Sequence, residues 1–128
     1  DVVKKHANEL LEIAEFNKND WNYGNAIHEA NIMLGTIALD EGDKKKAVEY
    51  LIAAGNTPGS PQLDSYGPDM RLAVKLIDEG ELEPVIEYLT LSRRFWKPGR
   101  QKIDTLVNAL QQGSIPEHDS MLYWQKKD

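Results

Sequence analysis

The sequence predicts an all-α domain built from two helical hairpins with a flanking helix at each end. Three observations predict it. Apolar residues recur at helical spacing along most of the chain, and no segment alternates as a strand does. A long pattern occurs twice, since Asp69 opens the same run that Asn31 opens 38 positions earlier. At 128 residues the chain has room for one core.

The elements follow in order. Val3, Ala7, Leu10 and Ala14 mark one face of a helix from about Val2 to Phe16, widened by Leu11 and Ile13. Asn17 to Asp20 is a polar turn. A second helix runs from about Trp21 to Glu41 and carries Tyr23, Ile27, Ala30, Leu34, Ile37 and Ala38. Gly42 suits its C-terminal left-handed position, and Asp43 caps a third helix reaching about Ala54 through Ala47, Val48 and Leu51. The stretch Gly55 to Pro68 holds three glycines and three prolines and reads as a long loop. A helix over about Asp69 to Glu79 ends at Gly80. Pro84 lies in the first turn of the next, which extends to Phe95 or Trp96. After Lys97-Pro98-Gly99, a last helix spans about Arg100 to Gln112 and stops at Gly113. The domain is therefore 1–113, with a tail 114–128 whose Met121-Leu122-Tyr123-Trp124 cluster is expected to pack on it.

The repeat is specific in its details. Leu34 matches Leu72, Leu39 matches Ile77, and Asp40-Glu41-Gly42-Asp43 matches Asp78-Glu79-Gly80-Glu81. Ala47 matches Val85, Glu49-Tyr50-Leu51 matches Glu87-Tyr88-Leu89, and Ala54 matches Ser92. The first copy, about 26–57, resembles the tetratricopeptide family: Leu34-Gly35 looks like its leucine-glycine pair, Gly42-Asp43 like its turn, and Ala47, Leu51 and Ala54 like its second-helix positions. The second copy, about 66–96, departs from that pattern at Ala73 and Val85. The chain is similar to tetratricopeptide-like proteins of bacteria. The resemblance implies a short right-handed superhelix that serves as a scaffold, and no particular ligand.

Composition excludes several classes. With no cysteine there is no disulfide, thiolate metal site or cysteine nucleophile. A net charge of −6 disfavours nucleic acid and anionic membranes as partners. No run reaches the ~20 apolar residues of a membrane helix, so membrane insertion is not expected. The compartment stays open: cytoplasmic, or exported if a leader preceded Asp1.

Candidate chemistry is sparse. His6, His28 and His118 show no metal-helix spacing, and neither metal nor cofactor is expected. Asp40-Glu41 and Asp78-Glu79 read as repeat turns and not as a catalytic carboxylate pair. Arg93, Arg94 and Trp96 form a basic-aromatic cluster with two readings: a grip on an acidic partner, or a helix end with its aromatics in the core. Trp21, Asn22, Asn25, Glu29, Ile32 and Thr36 on the first helix of copy one, with Met70 and Val74 on that of copy two, are expected to line a peptide groove. Tyr66 and Leu63 are expected to anchor the long loop. The expected function is protein or peptide binding without enzyme activity. Alternatives are a self-associating structural domain docking through Met121 to Trp124, or an enzyme using His28.

Overall fold

The computed structural model describes residues 2–16 and 23–124. Among these, every regular element is helical. The order is α1 (Val2–Phe16), α2 (Tyr23–Asp40), α3 (Lys44–Gly55), α4 (Pro61–Tyr66), α5 (Arg71–Asp78) and α6 (Leu82–Ser92). A 3-10 turn at Lys97–Gly99 then leads into α7 (Arg100–Gln111) and α8 (His118–Leu122).

The two hairpins are α2–α3 and α5–α6. Three helices end in the same way. Gly42, Gly80 and Gly113 sit at φ of 85°, 82° and 74°, a region where a Cβ is strained. The following amides close back on Ala38, Leu76 and Ala109 carbonyls, which satisfies groups the helix leaves open. Asp43 caps α3 by accepting the Lys46 amide at 3.0 Å.

The hairpins stack through α3 against α6, with α1 laid on α2 and α7 on α6. Matched positions fill the core: Ala47 and Val85, Leu51 and Leu89, Ala54 and Ser92 are all fully buried. Burying each leucine contributes about 2 kcal/mol. Gly35 lets α2 approach closely, because a Cβ there would stand 2.4 Å from Leu72 Cδ2 and 3.0 Å from Tyr50 Cβ.

One expectation is corrected. The stretch before Asp69 is not all loop, since Ser60 caps a helix by accepting the Leu63 amide at 3.2 Å, with Pro61 in its first turn. This α4 occupies the positions of the start of α2: Pro61 and Asp78 lie 38 residues after Tyr23 and Asp40. The second copy therefore repeats the whole of α2 as a helix broken at Gly67-Pro68, where Gly67 has φ 81°. The tail, in turn, contains its own helix α8, which returns to pack on α5.

Candidate functional site

His28 of α2 is fully buried where the two copies meet. The break in the second copy leaves the Asp69 amide outside any helix ladder, and it donates to His28 Nε2 at 3.0 Å. Nε2 is therefore the acceptor, and Nδ1–H donates to the Ala54 carbonyl at 2.9 Å, fixing the neutral tautomer. Burial holds the ring's pKa below its ordinary value, against the opposing pull of the Ala54 bond and the Asp69 charge. Tyr88 of α6 stacks on the imidazole and donates to the Asp69 carbonyl at 2.7 Å. Phe95 meets the ring edge-on. One side chain thus ties α2, the end of α3, the break and α6 together.

Next to this hub lies a charged trio. Arg71 Nη2 donates to Asp69 Oδ2 at 2.5 Å and to Glu29 Oε2 at 3.2 Å. Burial, the Asp69 charge and a hydrogen bond to Asp69 push Glu29 up to about 7, against the opposing effect of Arg71. Burial also pushes Asp69 upward, but hydrogen bonds from Arg71 outweigh it and hold the group below its ordinary value. Of the two carboxyls, Glu29 is the one held near neutrality and Asp69 the one held ionised by Arg71.

The trio borders a depression of about 500 Å³ lined by Asn25, Gln62, Tyr66 and Met70. Gln62 Oε1 is buried there without a hydrogen-bond partner. A second depression of about 580 Å³ continues along α2 and α5, lined by Ile32, Met33, Thr36, Ile37 and Val74 and also by Asp40, Lys75, Asp78 and His118. Arg71 and Leu122 line both. The result is one face with a polar end and an apolar end. Among the described residues no cluster of His, Asp and Glu has the arrangement of a metal site.

Six of the expected groove residues, Asn25, Glu29, Ile32, Thr36, Met70 and Val74, do share this face, and Tyr66 stands exposed at its polar end. Ile32, Met70 and Val74 are buried floor with little free surface. Trp21 and Asn22 lie outside the described residues. Of the two readings of the basic cluster, the side chains follow the second, a helix end with its aromatics in the core. Arg94 donates to the Gly55 carbonyl at 2.7 Å and to that of Thr57, closing the end of α3. Arg93 pairs with Asp104 at 2.9 Å. Trp96 is buried against Gly67 and Gly99, at each of which a Cβ would overlap the indole. These three groups serve the fold because a helix end needs cations and a core needs rings. Loop residue Leu63 is buried as an anchor.

Asp69, Arg71, Gln62 and Leu122 were not among the sequence candidates. Asp69 and Arg71 carried a visible signal, an acid two residues before an arginine at a helix start. Leu122 lay within the tail cluster already noted.

No family model, curated protein or solved structure matches this chain.

Proposed function

We propose that the chain is a tetratricopeptide-like interaction module that docks a peptide segment of a partner protein along the face shared by α2 and α5. The observation that carries this is the continuous pair of depressions meeting at Arg71. The apolar end offers the half-buried Met33 and Ile37 to side chains above a floor of Ile32 and Val74, and the polar end offers Asn25, Glu29 and Arg71 to a peptide backbone. Membership of the tetratricopeptide family is part of the proposal and rests on Leu34-Gly35, the Gly42-Asp43 turn and Ala47, Leu51 and Ala54. The reading is non-enzymatic because His28, the buried histidine, has both ring nitrogens engaged within the fold and presents no surface to a substrate.

Thr36 supplies the test. It is half-buried on the wall of the apolar depression, and Thr36→Arg would fill that depression with a charged side chain. Peptides selected from a displayed random library against the immobilised chain should bind Thr36→Arg at least tenfold more weakly. They should bind Lys45→Ala, on the exposed side of α3, within twofold of the parent. Unchanged affinity for Thr36→Arg, with helicity retained, would overturn the reading.

A further inference from the structure

The docking face is not bare, because the chain's own C-terminal segment lies on it. Gly113 turns the chain out of α7, residues 114–117 carry no regular structure, and α8 then returns to α5. Met121 and Trp124 are buried, and the Trp124 ring stands 4.8 Å from that of Trp96. Leu122 lies on the boundary shared by the two depressions. His118 Nε2 stands 2.9 Å from the Asp78 carboxylate with both groups half exposed, and Lys102 donates to the Trp124 carbonyl.

This attachment has the character of a ligand and not of a structural helix. A helix of five residues has no stability of its own. Among the described residues, no backbone hydrogen bond joins 115–122 to another element. The segment is held by side chains: Met121 and Trp124 are buried, Lys102 reaches the Trp124 carbonyl at a partly buried site, and the His118–Asp78 tie is exposed, where such pairs are weak. A four-residue linker with an open turn at Gly113 lets it leave without disturbing α7.

We propose that His118–Trp124 is a displaceable latch on the docking face, and that the partner is a short segment of the same chemistry: an apolar pair followed by aromatic residues, able to form one helical turn. The proposal rests on the docking reading above. Once the latch leaves, Trp96 loses the Trp124 ring packed on it and the boundary of the two depressions loses Leu122, and an entering segment must cover both again. A segment that reproduces Met121, Leu122 and Trp124 does so. A highly charged one does not, because it would bury charge against the apolar end. The latch and the partner then compete for one face, so the apparent affinity of the partner falls by the fraction of molecules that are open.

The test uses the full chain and a labelled peptide of residues 114–128 as probe, read by fluorescence anisotropy. Lys102→Ala/Leu122→Ala loosens the latch. Because the chain has no cysteine, Asp78→Cys/His118→Cys joined by a short bismaleimide locks it in place. The loosened chain should bind the probe at least tenfold more tightly than the parent, and the locked chain should not bind measurably. Should Leu122→Ala fail to fold, the exposed pair His118→Ala/Lys102→Ala replaces it, with an expected gain of about threefold. Equal affinity across parent, loosened and locked chains would overturn the latch while leaving the docking face standing. No binding to any of them would overturn the partner chemistry, and the library peptides would still judge the face independently.

Discussion

The first helices of the two copies begin as the same element and end as different ones. α2 runs unbroken for 18 residues, whereas its counterpart is divided into α4 and α5 by Gly67-Pro68. The difference changes what the helix does with its amides. An unbroken helix spends its amides on itself. The broken one releases the Asp69 amide and brings Asp69 and Arg71 beside Glu29 of the neighbouring copy. The matched residues diverge accordingly. His28 is fully buried while Tyr66, 38 positions later, is 63% exposed. Tyr50 is half-buried and Tyr88 is wholly buried, bonded to the break.

The largest expected effect comes from removing the residue that joins the unbroken helix to the break. His28→Ala opens a cavity and leaves the Asp69 amide and Ala54 carbonyl unpaired, so denaturant unfolding should show a loss of roughly 3–5 kcal/mol. A loss below ~1 kcal/mol would mean that the copies do not depend on this contact. Close helix approach should be equally one-sided. Gly35→Ala forces Leu72 aside and should cost about 1–3 kcal/mol. The reverse change at the matched position, Ala73→Gly, acts by removing a methyl and raising backbone freedom, and should cost about 1 kcal/mol. Thermal melts of the two variants would show whether the close approach belongs to copy one alone.

The tyrosines give a smaller contrast. Tyr88→Phe strips a hydrogen bond from the partly buried Asp69 carbonyl and should cost about 1–2 kcal/mol. Tyr50→Phe should stay within about 0.5 kcal/mol of the parent. Equal costs would break the comparison.

The last contrast is in pH dependence. The folded state holds Glu29 at about 7, above its ordinary 4.5, so the folded chain binds the extra proton and loses stability as pH rises through that window. His28 has the opposite sign: its lowered pKa gives stability that is present above 6.5 and lost as pH falls. Comparing the parent with Glu29→Gln cancels the histidine. The melting temperature of the parent should fall relative to the variant between pH 5 and 8, and a flat difference would remove the account of the raised Glu29 pKa.

How much of this was legible depends on whether a residue acts locally. Helical periodicity and glycine stops gave α1, α2, α3, α5 and α7 close to their observed bounds, because those signals act within a few residues, whereas α6 ends at Ser92, short of the expected Phe95 or Trp96. α4 was hidden between Gly59 and Gly67, although Ser60-Pro61 is a cap followed by a first-turn proline and was the available signal. The 38-residue register contained the answer too, since it aligns α4 with the start of α2. His28 illegibly joined partners 26, 41 and 60 positions away, and no spacing rule reaches that far. The Arg93 to Trp96 cluster looks the same in sequence whether it grips a partner or closes a helix end, and only the acceptor carbonyls distinguish the two.

The claim that the break makes a docking face is tested most directly by mapping amide chemical-shift changes as a library-selected peptide is titrated into the uniformly labelled chain. The account predicts changes concentrated at Asn25, Glu29, Thr36, Asp69 and Arg71, on both sides of the junction between the copies. Changes confined to the outer surfaces of α3 and α7, with those five amides unmoved, would contradict it.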